Sequence, residues 1–269
     1  FRAWTLRPRA GGVTVAGWPD TQPGDTIIVL ADPYTFPAAQ VVERLADRHV
    51  EARVVGGLVS GGADATRFVV DGRLHGDGAV GAVLRDIPVA TTASVGCRAI
   101  GRPVTVTELV GDELRGLAGR AATDVLDEVL SGLSADDLLL LERGGLQLGI
   151  VVDDVSDRYA PGDFLVRGVL AIDPERGSIT VGDRVEVGAT VQFHLRDPVH
   201  AGIDLTARLQ DLGAVQGALL FTCLGRGRRL FGVAHHDAST VARHLGVDLA
   251  QVQGTGSGGR ITDQDVEQA

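Results

Sequence analysis

Apolar and polar positions along this chain switch repeatedly between strand and helix periods. Thr26-Ile27-Ile28-Val29-Leu30 is a short apolar run of strand length, and the two prolines of Asp32-Pro33-Tyr34-Thr35-Phe36-Pro37 mark the loop after it. Over residues 37–48, Val41, Val42, Leu45 and Ala46 recur at helical spacing; residues 52–57 then read as a strand ending in a Gly56-Gly57 turn. Arg67-Phe68-Val69-Val70 before Asp71-Gly72 is a hairpin signal. Residues 78–84, 89–97 and 104–106 predict further strands. Leu114, Leu117 and Ala121, leading into Val125, Leu126, Val129 and Leu130, predict a helical middle, and Ser134-Ala135-Asp136-Asp137 predicts a capped helix start. Strands return at 147–152, 163–172 and 185–196. In the last, Val191, Phe193 and Leu195 alternate with Thr190, Gln192 and His194 as in a half-buried strand. Pro198 suits the first turn of a helix carrying Ile203, Leu205 and Leu209. Residues 218–223 predict a buried strand running into a glycine-arginine turn. The whole predicts an α/β (α+β) chain: a layered sandwich of largely antiparallel sheets with outer helices.

Composition removes several function classes. The 269 residues carry a formal net charge of −10, the reverse of a nucleic-acid footprint. All 25 basic residues are arginines, so no lysine is present for a Schiff base, a lipoyl arm or a phosphate loop. Methionine is absent and Phe1 stands first, which predicts a fragment or a processed end. Cys97 and Cys223 lie far apart without metal spacing, which predicts free thiols in a reducing, cytoplasmic setting. No apolar run approaches 18 residues, so no membrane partner is expected. No cofactor is implied.

Candidate chemistry gathers in Phe221-Thr222-Cys223-Leu224-Gly225-Arg226-Gly227-Arg228-Arg229. A thiol near guanidinium groups would hold more thiolate, glycines 225 and 227 would let backbone N–H groups approach an anion, and Arg226 would suit a carboxylate. A buried structural Cys223 beside a surface arginine turn explains the same string. Arg196-Asp197 is either a second binding element or an ion pair closing a helix start. Asp32, in a loop after a strand, is either a ligand contact or a helix cap. His235-His236-Asp237 is not expected to hold a metal, because adjacent side chains point apart and no further ligands sit at metal spacing.

Several strings, taken in order, resemble the FIST family, a sensory module of signalling proteins. They include Leu30-Ala31-Asp32-Pro33-Tyr34-Thr35-Phe36-Pro37, Val54-Val55-Gly56-Gly57, Gly96-Cys97-Arg98-Ala99-Ile100-Gly101, Val191-Gln192-Phe193-His194-Leu195-Arg196-Asp197 and Gly217-Ala218-Leu219-Leu220-Phe221-Thr222-Cys223. The resemblance implies a non-catalytic sensor of a small carboxylate-bearing or amino-acid-like ligand, for which the candidate contacts read from the residues themselves are Cys223, Gly225, Arg226, Gly227, Arg196 and Asp32. It also implies a shortened N-terminal half over 1–88 and a C-terminal half over 89–236, with the family's closing segment replaced after about residue 245.

Residues 237–269 resemble instead the second half of a peripheral subunit-binding domain of 2-oxo-acid dehydrogenase acyltransferases, carried by Gly254-Thr255-Gly256-Ser257-Gly258-Gly259-Arg260-Ile261-Thr262-Asp263. That likeness implies a small two-helix module and docking of dihydrolipoamide dehydrogenase, or another subunit of such a complex, through Arg243 and Arg260. Membership of such a complex is the alternative function. Acyltransferase activity is not expected: no lysine is available for a lipoyl arm, and no His-x-x-x-Asp-Gly segment is present.

Overall fold

Two units emerge from the contacts of the computed structural model, which describes residues 1–9, 12–47, 51–60, 62, 65–143, 145–152, 159 and 162–247. The first comprises Phe1–Thr91 with Leu219–Leu224; the second runs over Thr92–Ala218 and from Gly225 onward.

In the first unit, β1 (Arg2–Arg9) and β2 (Gly12–Ala16) form an antiparallel pair with Trp4 opposite Ala16. The strand β3 (Thr26–Ala31) leads through α1 (Ala38–Asp47) to β4 (Arg53–Leu58), which pairs with β3 in parallel. A parallel pair needs a crossover, and the amphipathic 38–47 stretch supplies it. The hairpin of β5 (Phe68–Val70) and β6 (Arg73–His75) turns through Asp71 (φ 50°) and Gly72 (φ 72°), both left-handed, as a two-residue connection of right-twisted strands demands. The sheet is completed by β7 (Ala79–Leu84), giving the order β2-β1-β7-β3-β4 over a small core of Ala3, Ala31, Phe36 and Ala79. Asp25, nearly inaccessible, accepts hydrogen bonds from Arg85 Nε (3.1 Å) and Nη2 (2.8 Å) and from the Gln22 N–H. The Arg85 guanidinium, helped by that N–H, holds its carboxyl below the usual range.

The second unit contains β8 (Cys97–Val110), β9 (Glu113–Leu117), β10 (Arg120–Ala121), α2 (Ala122–Ser131), α3 (Ala135–Glu142), β11 (Leu146–Val151), β12 (Phe164–Asp173), β13 (Ser178–Val181), β14 (Thr190–Arg196) and α4 (Pro198–Leu212). A single 3-10 turn at Leu224–Arg226 then precedes α5 (Arg228–Phe231) and α6 (His236–Leu245). Every ladder here is antiparallel. The order β10-β9-β13-β12-β11-β14-β8 closes on itself, because the long β8 pairs with β14 through its first half and with β9 through its second. Closure leaves the main strands without an open edge. Ile100, Val106, Leu114, Leu117, Leu148, Ile179, Val191, Phe193 and Leu195 form one core with Ala122, Val125 and Leu126 of α2. Gly101 (φ 63°) is obligatory there: a Cβ on it would lie 2.6 Å from Val129 Cγ2 of α2.

The α+β class and the largely antiparallel pairing hold, with β3–β4 the single parallel ladder among the described residues. Ser134 caps α3 in a full capping box with Asp137. Asp197 caps α4 by accepting from the Val199 and His200 N–H groups, with Pro198 in the first turn.

Four expectations are corrected. Residues 113–117 form strand β9 rather than helix; Leu114 and Leu117 are both fully buried, and a strand covered on both faces loses the alternation that marks it. Residues 89–96 carry no strand. The strand 190–196 is buried along Val191–Leu195, polar positions included, and is not half-buried. Residues 218–223 join no ladder and are exposed, with Leu219 at 71% and Phe221 at 41% accessibility. Residues 237–245 of the segment compared with that tail lie in α6, whereas the glycine loop, Arg260 and the Thr262 helix start lie outside the described residues.

Candidate functional site

The second unit holds a buried ion pair whose geometry is set by a turn and two short helices. The 3-10 turn carries Arg226 beneath α6, where Nε donates to Asp237 Oδ2 at 2.7 Å and Nη2 to Oδ1 at 3.1 Å. The two side chains retain only 11% and 5% of their accessibility. Planar two-point pairing of this kind fixes a guanidinium in orientation as well as position. Phe231 of α5 adds a further contact, its ring centroid 5.5 Å from the Arg226 guanidinium carbon, and the His236 ring stacks on Phe231 at 3.7 Å and 8°. His236 Nδ1 lies 3.1 Å from Asp237 Oδ1. The chain enters α6 through a left-handed His235 (φ 58°), a conformation unusual for a residue with a side chain.

Held this way, Arg226 presents Nη1 as a buried donor with no acceptor among the described residues. Nη1 comes so close to the backbone before β8 that a Cβ on Gly96 would stand 2.6 Å from it. A second guanidinium abuts the same turn: Arg196, at the end of β14, lies where a Cβ on Gly225 would be, 2.0 Å from its Nη1. Arg196 makes no ion pair among the described residues. Asp197 turns the other way, accepting from Arg98 Nε at 2.9 Å; Arg98 also pairs with Asp137. Burial pushes the Asp197 carboxyl up, but the His200 and Val199 N–H groups and Arg98 outweigh it and hold it below its ordinary value.

The structure therefore brings Arg196, Gly225 and Arg226 together, with Gly227 next in line as the cap residue of α5. The expected Arg196–Asp197 ion pair is replaced by Arg98–Asp197. Cys223 is exposed, and the Arg226 guanidinium is committed to Asp237 rather than to the thiol. Asp32 sits in the first unit, fully buried, accepting from Thr66 Oγ1 at 2.9 Å and from Thr35 Oγ1; it fastens the loop after β3. Burial raises its carboxyl, and the Thr35 and Thr66 hydroxyls with the Tyr34 and Thr35 N–H groups more than offset that. Arg243 is exposed on α6. Among the described residues no group of three or more His, Cys, Asp or Glu is placed to hold a metal, and no helix is long and apolar enough to cross a membrane.

Asp237, Phe231, His236 and Gly96 were not among the site residues expected from sequence. The one signal was His235-His236-Asp237, weighed there only as a metal motif.

The exposure difference sets a first expectation. Iodoacetamide should label Cys223 rapidly in the native protein and Cys97, buried at the start of β8, only on unfolding. Equal rates at the two thiols would show that the start of β8 opens readily.

A match to the FIST N domain covers residues 5–120, and a match to the FIST C domain covers residues 122–262. The chain belongs to the FIST family. FIST domains are associated with sensing in signalling. The FIST C match runs on through most of the segment that resembles a subunit-binding tail. An uncharacterized protein of Mycobacterium bovis is 42% identical over 263 residues, covering 94% of this chain and 68% of its own length. An uncharacterized protein of Mycobacterium tuberculosis is 42% identical over 243 residues, covering 87% of this chain and 63% of its own length. The chain thus spans about two thirds of these relatives. No solved structure matches.

Proposed function

We propose that this FIST chain is a non-catalytic sensor whose second unit binds a small carboxylate, of amino-acid or 2-oxo-acid type, at the Arg196–Gly225–Arg226 turn. The observation that carries this reading is the buried Nη1 donor of Arg226. A buried N–H without an acceptor costs about 1–3 kcal/mol, and more when charged, so the site favours an occupant that supplies an oxygen. Asp237 has already oriented the guanidinium, so little rotamer freedom is left to lose on binding. Arg196 adds a charge without a partner among the described residues, and the absence of Cβ atoms at Gly96 and Gly225 is what lets the two guanidiniums approach the backbone. Asp32 has no place in this reading, because its oxygens are occupied in the other unit. Docking of a dehydrogenase subunit rests on the tail resemblance alone.

Thermal unfolding against a panel of amino acids and 2-oxo acids tests the reading. A ligand at a hundredfold its Kd is expected to add about 2.7 kcal/mol to the stability of the wild-type chain. Gly225→Ala should displace only the mobile end of Arg196, leaving the basal melting temperature nearly unchanged while removing the response. Arg196→Gln should behave likewise. If no member of the panel stabilises the wild type, or if both variants respond as it does, the turn is not a carboxylate site.

A further inference from the structure

Helix α4 carries two apolar rows, and the core uses only one. Ala201, Leu205 and Leu209 are buried. Val199, Ile203 and Ala207, also spaced by four, form a second row, and Val199 and Ile203 remain 70% and 64% exposed. Ile203, on the expected helix, lies on a surface groove. That groove, about 560 Å³, runs between α4 and α6, with Val199, Ile203 and Ala207 on one wall and His236, Thr240 and Arg243 on the other. The helices run in the same direction: a Cβ on Gly202 would meet the His236 ring at 3.5 Å, and His244 Nε2 lies 3.2 Å from the Gly213 carbonyl. Val199 and His236 therefore mark one end, and Gln210 and Arg243 the other.

The polar chemistry of the groove has one sign. In a chain of net charge −10 its lining contains no carboxylate, and its ionisable members are His236 and Arg243. The Thr206 and Thr240 hydroxyls donate to carbonyls of their own helices, those of Gly202 and His236, both at 2.9 Å. His236 is stacked on Phe231 beside Asp237. Arg243 forms no ion pair among the described residues, which leaves it as the charged donor at one end of an apolar track.

We propose that this groove binds a medium-chain aliphatic carboxylate, its head on Arg243 and its alkyl chain along Ala207, Ile203 and Val199. From residue 199 to 207 the helix rises about 12 Å, roughly the length of extended decanoate. The assignment goes beyond the short-acid site at Arg226: it uses a different arginine and adds an apolar body to the ligand. Apolar contact supplies affinity and the guanidinium selects the head group, the usual division of labour in such sites.

Isothermal titration of the whole chain with decanoate, butyrate, decanol and decyltrimethylammonium separates these contributions. Decanoate is expected to bind saturably, butyrate to give no heat that Arg243→Gln removes, decyltrimethylammonium not to bind, and decanol to bind at least about tenfold more weakly, since it lacks the charge for Arg243. Removing methylenes from decanoate should weaken binding by about two- to fourfold each. Arg243→Gln and Ile203→Ser alter exposed side chains and should leave the melting temperature close to that of the wild type. Each is expected to weaken decanoate at least about tenfold without touching the short-acid response, which Gly225→Ala removes in turn. Decyltrimethylammonium binding as well as decanoate, Arg243→Gln leaving decanoate unaffected, or no decanoate binding at all would overturn the proposal. So would a concentration-dependent dimer that Ile203→Ser dissociates, because the row would then be covered by a second copy of the chain.

Discussion

Asp237→Ala is expected to cost the second unit about 3–5 kcal/mol, the usual penalty for removing one partner of a buried ion pair. The loss is not that of one hydrogen bond. Arg226 would keep its charge at 11% accessibility with neither Asp237 oxygen to meet it, and Phe231 and His236 leave little room for it to swing into water. The first turn of α6 would also lose its acidic residue, which sits where the helix dipole favours one. Urea denaturation followed by far-UV circular dichroism is the suitable readout, because Trp4 and Trp18 both belong to the first unit and their fluorescence would miss the event. The midpoint should fall at an unchanged slope. Arg226→Met combined with Asp237→Leu should recover most of the loss, since an apolar pair of similar volume carries no uncompensated charge. A loss below about 1 kcal/mol in the single variant would mean that Arg226 finds solvent when released. The pair would then be an ordinary surface contact, and the pre-orientation argument for the carboxylate site would fall with it.

That ion pair also shows where sequence reading stops. Local signals were legible because their physics is local: the Thr26 run and its proline loop, the Asp71-Gly72 hairpin, the Ser134 capping box and the Asp197-Pro198 helix start each depend on neighbours within about four residues. Arg226 and Asp237 are eleven apart, on a 3-10 turn and a different helix with α5 and the left-handed Gly232 between them, so no single element's period links them. Arg196 and Gly225 were both singled out, but their contact was not, because they meet only after β14 and the turn have folded together. Strand β13 was missed for another reason. Ser178–Val181 is four residues long, and Ile179 and Val181 are its only apolar core positions, too few to establish a period. Residues 218–223 show the converse. Leu219, Leu220 and Phe221 have the composition of a buried strand, yet no described strand pairs with them, so burial was inferred from side chains whose surroundings the local sequence does not specify.

His194 should make the second unit acid-labile in a pH range where the carboxylates are silent. Its ring, 2% exposed, meets Phe164 edge-on at 4.8 Å and fills the space left by Gly149, where a Cβ would stand 2.4 Å from Cε1. Nδ1 lies 3.0 Å from the Gln192 carbonyl, so the neutral ring donates from Nδ1. Burial depresses its basicity, the Gln192 carbonyl opposes that, and the nearby His200 reinforces it; the net shift is downward. A histidine depressed in the folded state binds its proton first in the unfolded state. Its contribution is therefore intact above the unfolded value near 6.5 and is lost as pH falls below it, by up to about 1.4 kcal/mol per pH unit. Asp25, Asp32 and Asp197, all held low in the fold, withdraw their support only as pH falls through the carboxylate range, around and below about 4. The interval from about 6.5 to 4.5 is thus where histidines alone set the slope. Urea midpoints of the wild type and of His194→Gln at pH 7.5 and 5.5 isolate the effect: the wild type should lose about 1 kcal/mol more than the variant. Parallel losses would show that the ring takes up its proton without leaving the fold, and that the Gly149–Phe164 enclosure is open to water.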